Sequence, residues 1–304
     1  MNSFECDVLA GLSRSPKSIP SKYFYDAEGS RLFEAITQLP EYYPTRTETA
    51  LLERIAPEIS GAIPTGGALV EFGSGASIKT RLLLQAAPQL ARYVPIDISP
   101  DALEGAAADL RQDFPRLSVE PIVADFTAPV RLPDEVLAAG RLGFFPGSTI
   151  GNFEPVEATA FLARARDALG DRAAFLVGID LVKSPEVLIR AYDDAAGVTA
   201  AFNKNLLQRL QSELGSDVDP DAFDHAAVWN PDASRIEMHL VSRADQSFTV
   251  GDRRIAMSAG ETIHTENSHK FTVDGFASLA RAAGWRTGPV WTTEPAFALV
   301  MLEN

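Results

Sequence analysis

From residue 68 onward the chain alternates short apolar runs with segments of helical period, and that alternation narrows the fold more than any other feature. The runs are ALVEFGSG, YVPIDIS, VEPIVADF, LGFFPGSTIGN and AAFLVGID. Their near-continuous apolar character is that of strands buried on both faces. Parallel strands need a crossover between them and helices supply it, so the pattern predicts an α/β fold built from βαβ units. Two further strands, RTGPVWTT and AFALVML, follow a helix expected near 273–284 and bring a mostly parallel, Rossmann-like sheet to seven strands. Ligands of such sheets sit beyond the carboxyl ends of the strands. Gly73 to Gly75, Asp97, Asp125 and Gly147 to Asn152 all fall there.

The flanking segments differ in texture. Residues 13–60 read as helices, because Leu32, Phe33, Ile36 and Leu39 recur at helical spacing until Pro40 stops the run. Thr45 and Glu48 have capping-box spacing ahead of Leu51, Leu52 and Ile55. Residues 184–265 interrupt the α/β alternation. A helix is expected from Ser184-Pro185, and a second carries Phe202, Leu206, Leu210 and Leu214 and ends at Gly215. Period-2 strands follow, with Ile236, Met238 and Leu240 on one face and a turn at Gly251-Asp252. The expected organisation is an α/β cofactor domain of residues 56–189 plus 270–304, with a substrate-recognition insertion formed by 1–55 plus 190–269.

Charge and cysteine usage limit the partners. In 304 residues, 27 Lys and Arg face 41 Asp and Glu, a net charge of −14 that repels phosphate backbones and anionic lipid surfaces. Neither nucleic acid nor a membrane is an expected partner, and a monomer acting on a small molecule is. The single cysteine, Cys6, excludes an internal disulfide and a Cys-rich zinc site, which favours the cytoplasm. His264 and His269 lie near Glu266 without an acid-rich set at metal-ligand spacing, so no metal is expected. The start MNSFECDVLAGL lacks a basic segment followed by an apolar one, and no apolar run approaches about 18 residues. The expectation is a chain neither secreted nor membrane-spanning.

The first strand ends in Glu71-Phe72-Gly73-Ser74-Gly75, where glycine lets backbone approach a ligand that a side chain would block. A dinucleotide fingerprint requires a third glycine at position 78, which is Ile, and Glu71 is unfavourable beside a pyrophosphate. A nucleotide-dependent oxidoreductase is thereby disfavoured. A ligand carrying an amino-acid group instead of phosphates fits better. Asp97 closes the second strand as an acceptor for ribose hydroxyls, and Asp125-Phe126 closes the third as an acceptor for an adenine amino group with a ring to pack on the base. The ordered set points to S-adenosylmethionine and a class I methyltransferase. Taken singly, the two aspartates have a plainer use as helix caps, and the glycines as an ordinary turn.

Longer motifs carry a resemblance to one family. SIPSKYFYDAEGSRLFEAITQLPEYYPTRTE, EFGSGASIKTRLLL, FFPGSTIGNFEP, AYDDAAGVTAAFNKN, RIEM and IHTENSHKF occur in this order. The chain resembles the histidine-specific N-alpha-methyltransferases of ergothioneine biosynthesis over nearly its whole length. The resemblance implies trimethylation of the α-amino group of L-histidine to hercynine, with S-adenosylmethionine as co-substrate. It implies a cofactor site of Gly73, Gly75, Lys79, Asp97, Asp125 and Phe126, with Lys79 on the methionine carboxylate. It also implies that Asn152 and Tyr192 hold the substrate's carboxylate and amino group, with Tyr25 close to that amine as a third catalytic residue. Tyr42, Glu266 and Ser268 match the imidazole-recognising set, and Met238 an apolar wall. The tyrosines and Met238 also suit plain core packing, and Asn152 a turn. The same fold acting on another aromatic amino acid, such as tryptophan or tyrosine, is the alternative; Met238 and Glu266 together favour histidine, because a carboxylate accepts from an imidazole N–H whereas an indole prefers a wider, less polar wall.

Overall fold

The computed structural model describes residues 3–75, 78–294 and 296–304. They form two compact units: unit 1 comprises Met1–Tyr43 and Lys183–His269, and unit 2 comprises Pro44–Val182 and Lys270–Asn304. The chain therefore passes from unit 1 to unit 2, returns to unit 1 and ends in unit 2.

Unit 1 starts with helix α1 (Ser3–Leu12), the short strand β1 (Lys17–Ser18), a 3₁₀ turn at Ser21–Phe24 and helix α2 (Ala27–Thr37). Phe4, Val8 and Leu12 bury one face of α1 at a spacing of four. Asp26 caps α2, accepting from the Gly29 N–H at 2.7 Å.

Helix α3 (Tyr43–Ala62) leads into unit 2. The expected capping box does not form: α3 already begins at Tyr43, so Thr45 is inside the first turn, and its carbonyl accepts from Thr49 Oγ1 at 2.8 Å. Glu48 is turned into the interior and is fully buried. Then come β2 (Ala68–Phe72), α4 (Ile78–Ala86), β3 (Arg92–Asp97), α5 (Pro100–Asp113), β4 (Ser118–Val119), β5 (Ile122–Val123), α6 (Asp134–Ala138), β6 (Arg141–Phe145), a 3₁₀ turn at Thr149–Asn152, α7 (Pro155–Leu169) and β7 (Ala173–Asp180).

The chain returns to unit 1 with α8 (Pro185–Tyr192), α9 (Val198–Leu214), a 3₁₀ turn at Pro220–Ala222, β8 (Phe223–Asn230), β9 (Arg235–Ser242), β10 (Gln246–Val250), β11 (Arg253–Met257) and β12 (Thr262–His269). Gly215 stops α9 in the left-handed conformation (φ 62°). Ile236, Met238 and Leu240 are buried on alternate positions of β9. A four-stranded sheet runs β1-β12-β9-β8, and β10 and β11 form a hairpin through Gly251-Asp252. Finally, α10 (Val273–Ala282), β13 (Arg286–Thr293) and β14 (Phe297–Glu303) complete unit 2.

The large sheet of unit 2 has the order β13-β14-β7-β6-β2-β3-β4, with β5 also beside β3. Eight strands fill the seven expected positions because VEPIVADF folds as two pieces: Pro121, between β4 and β5, has no N–H to give the ladder. The strands from β2 to β7 run parallel, and β14 pairs antiparallel with both β7 and β13. Alternate residues feed two cores. Val70, Phe72, Val94 and Ile96 join the cluster containing Phe161 and Phe175, whereas Leu69 and Tyr93 join that of Leu51, Leu52 and Leu83. Strand order reverses at β2, flanked by β3 on one side and β6 on the other, and such a reversal opens a crevice at the carboxyl ends.

Candidate cofactor and substrate sites

Unit 2 gathers the expected cofactor residues at that reversal. Gly73 follows β2 with φ 73°, and a Cβ there would lie 3.2 Å from the Phe126 ring. Glycine is thus needed twice over, for the left-handed backbone and for the close ring. Gly75 has φ 45° and no neighbour within 4 Å of where a Cβ would stand. Its N–H donates to Asp97 Oδ2 at 3.2 Å, and the Ser99 N–H donates to Asp97 Oδ1 at 3.1 Å. The two backbone donors hold the carboxylate at the end of β3. Asp125 accepts from the Thr127 N–H and hydroxyl at 2.8 and 2.5 Å, both on Oδ1. Phe126 packs edge-on against Phe145 and Phe161, with centroids 5.6 and 5.8 Å away.

Two carboxylates beneath this cradle have roles other than those expected, Glu48 as a helix cap and Glu71 only as a bar to a pyrophosphate. Glu71 is buried and accepts at Oε2 from Thr80 Oγ1 (2.5 Å) and from the Tyr93 hydroxyl. Burial pushes its pKa up to about 7, against the pull of those two donors. Glu48 pairs with Lys79 and accepts from the Gly147 N–H at 2.8 and 3.0 Å. Gly178 makes room for it, since a Cβ there would meet Glu48 Oε1 at 2.2 Å. The signal for Glu48 was a charge on an apolar stripe: it shares a helix face with Leu51, Leu52 and Ile55. One buried carboxylate thereby fixes both Lys79 and the loop that leads to Asn152.

That loop is also held from its other side. Gly147 (φ 80°) and Ser148 (φ 55°) turn sharply, and Ser148 Oγ accepts from the Asp180 N–H at 2.9 Å. Asn152 ends the following 3₁₀ turn and is half-buried.

The residues fit S-adenosylmethionine. A glycine-lined strand end that a Cβ would fill, a carboxylate for ribose hydroxyls and an acid–aromatic pair occupy three consecutive strand ends. Lys79 retains donors beyond its contact with Glu48, because an ammonium carries three.

Unit 1 brings the three expected tyrosines into one aromatic chain. Tyr25 meets Phe33 (centroids 5.7 Å), Phe33 meets Tyr42 (6.2 Å), and Tyr42 meets Tyr192 (6.1 Å). The Tyr192 hydroxyl and Ser268 Oγ are hydrogen-bonded at 2.7 Å. Met238 is buried and stands opposite Glu266 in the β9–β12 ladder. Glu266 and Ser268 are themselves buried, which is unusual for a glutamate on a strand and marks the face as specialised. Burial lowers the pKa of His225 and of His264, which favours the neutral form of both rings. Among the described residues no group of three or more His, Cys, Asp and Glu side chains gathers to hold a metal ion, and no helix is long and apolar enough to cross a membrane.

Comparison with known proteins agrees in kind. Residues 4–304 match a family model described as histidine-specific methyltransferase, SAM-dependent. The histidine N-alpha-methyltransferase of Mycolicibacterium smegmatis is 45% identical over 298 residues, covering 95% of this chain and 91% of the relative. The protein of that name from Mycobacterium tuberculosis is 41% identical, covering 95% and 90%. Among solved structures, an S-adenosylmethionine-dependent methyltransferase from Clostridium acetobutylicum superposes with a TM-score of 0.52 at 11% identity, covering 90% of this chain and 98% of that one. The last is a likeness of fold.

Proposed function

The chain belongs to the histidine-specific, SAM-dependent methyltransferase family, and on that premise we propose that it methylates the α-amino nitrogen of L-histidine three times to give hercynine, a step of ergothioneine biosynthesis. The observation that carries this reading is the match across residues 4–304, which spans both the cofactor cradle and the tyrosine cluster. When bound, S-adenosylmethionine supplies a methyl group on a positively charged sulfur. Asp97 holds the ribose hydroxyls, Asp125 and Phe126 the adenine, Lys79 the methionine carboxylate, and Gly73 and Gly75 allow close backbone approach.

The amine must be neutral to attack, and a free amino acid is mostly protonated at pH 7, so a proton leaves before each of the three transfers. The Tyr25 hydroxyl is the proposed relay. Tyr192 and Asn152 anchor the substrate's carboxylate and amino group, so the nitrogen is presented repeatedly without release of the anchor. Tyrosine oxygens and ring faces favour the positive charge that grows with each methyl group. Glu266 accepts from an imidazole N–H, Ser268 and Tyr42 complete the ring's surroundings, and Met238 supplies the apolar wall. We further propose that the enzyme works as a cytoplasmic monomer.

Mass spectrometry of the purified protein with S-adenosylmethionine and an equimolar mixture of the twenty amino acids tests the reading. Gains of one, two and three methyl groups on histidine alone are expected. A gain on tryptophan or tyrosine in place of histidine would overturn the ring assignment while leaving the cofactor site intact.

A further inference from the structure

Strand β12 contains one residue too many. In its ladder with β9, Ile263 stands opposite Leu240 and His264 opposite His239, but the next pair is Glu266 with Met238, followed by Asn267 with Glu237 and Ser268 with Ile236. Thr265 is the extra residue of a β-bulge. Residues directly opposite one another in an antiparallel pair share a face, so Glu266 and Ser268 lie on the buried face of Ile236, Met238 and Leu240. Counting by twos from Ile263 would place 265, 267 and 269 on that face instead. Without the bulge, Glu266 and Ser268 would turn to the opposite side, because a slip of one residue exchanges the faces of a strand.

The bulge is held from a distance. Thr265 is buried, and its hydroxyl is within reach of Asn203 Oδ1 at 2.7 Å and of the Met238 carbonyl at 3.0 Å, its single proton shared between them. Asn203 comes from α9 and is fully buried. Its Nδ2 donates to the His239 carbonyl at 3.1 Å and contacts His225 Nδ1 at 2.9 Å. A carbonyl only accepts, so Nδ2 is the amide nitrogen and His225 Nδ1 must accept. His225 then carries its proton on Nε2, which donates to the Tyr192 carbonyl at 2.8 Å. One asparagine thus ties the backbone of Tyr192, the strand carrying Met238, and the bulge before Glu266, which are distant in sequence.

We propose that Asn203 and Thr265 are positioning residues for substrate recognition: they lock the β12 bulge that presents Glu266 and Ser268 on one face with Met238, and through His225 they set the backbone of Tyr192. This inference rests on the reading that Tyr192, Met238, Glu266 and Ser268 bind the amino-acid substrate. A polar side chain on the apolar stripe of α9 has another use as plain core satisfaction, and the two are separated by what a substitution changes.

Thr265→Val keeps the branched shape and removes the hydroxyl, and Thr265→Ser keeps the hydroxyl. The expected result is that Thr265→Val raises KM for histidine tenfold or more with an unchanged Kd for S-adenosylmethionine, and that Thr265→Ser returns KM to within about threefold of wild type. Nitrogen-15 NMR of the histidine rings should show His225 protonated at Nε2 and bare at Nδ1. A Thr265→Val protein with lower thermal stability but wild-type KM overturns the proposal, as does a protonated His225 Nδ1. Glu266→Gln measured in parallel separates the layers. If it raises KM and Thr265→Val does not, the lock alone has failed. If neither wild type nor variant methylates histidine, the substrate reading has failed and the lock with it.

Discussion

Glu71→Gln isolates a carboxyl that the fold holds near neutrality. In the folded protein the group titrates at about 7 instead of the usual 4.5, because its burial beside β3 outweighs the downward pull of two hydroxyl donors on one oxygen. A folded-state pKa raised in this way means that the native protein holds the proton more tightly than the unfolded chain. The contribution is therefore complete below pH 4.5 and is lost as pH rises through 7. Linkage places the change between pH 5 and pH 8 at about 2 to 3 kcal/mol. Glutamine keeps an acceptor for Thr80 and Tyr93 and does not ionise, so the variant lacks this slope. Urea unfolding at pH 5, 6, 7 and 8 measures it. Of the three tryptophans, Trp285 and Trp291 belong to unit 2 and Trp229 to unit 1, so a Trp229→Phe background makes fluorescence report the unit that holds Glu71. The variant should gain on wild type by that amount toward pH 8. Parallel stability curves for the two proteins would refute the reasoning, whatever their absolute heights.

Further outcomes follow from particular contacts. Gly178→Ala puts a methyl group 2.2 Å from Glu48 Oε1 and forces a buried, paired carboxylate to move; unfolding should be easier by about 3 kcal/mol or more, and calorimetry should find S-adenosylmethionine bound at least tenfold more weakly. Gly105→Ala, in α5 with nothing within 4 Å, is the contrast and should stabilise by about 0.5 to 1 kcal/mol. Glu266→Ala should weaken histidine binding far more than cofactor binding; equal losses in both titrations would remove Glu266 from the ring-recognising set. Tyr192→Phe, which deletes the 2.7 Å contact to Ser268, should raise KM for histidine by about five- to tenfold, consistent with one hydrogen bond of about 1 kcal/mol. An unchanged KM would leave Tyr192 a packing residue.

What was legible in the sequence is what local rules decide. Glycines and aspartates closing apolar runs had to fall at strand ends, and Gly73, Gly75, Asp97 and Asp125 do. Alternation along β9 and the stop at Gly215 are equally local. Glu48, Asn203 and Thr265 escaped because their partners are far along the chain, and because the spacing of Thr45 and Glu48 imitates a cap. The trace each left was nevertheless present: Glu48 and Asn203 are polar groups on otherwise apolar helix faces, and such a group must be paired inside. The β12 bulge left less, since an extra residue is visible only once the register with β9 is known. Helix α1 is legible in the four-residue spacing of Phe4, Val8 and Leu12.

The pairing of β1 with β12 has a consequence for how the protein is made. Lys17 and Ser18 lie beside Ile263 and His264, about 250 residues later in the chain. At roughly 5 to 20 residues per second, a ribosome that has released the first strand needs on the order of 10 to 50 s before its partner emerges. Helices α1 and α2, with the apolar faces they bury in unit 1, must wait through that interval while unit 2 is translated. The first 43 residues are thus the part of the chain most exposed to chaperones and proteases during synthesis, and slowing elongation should lower yield through them before it touches the central sheet.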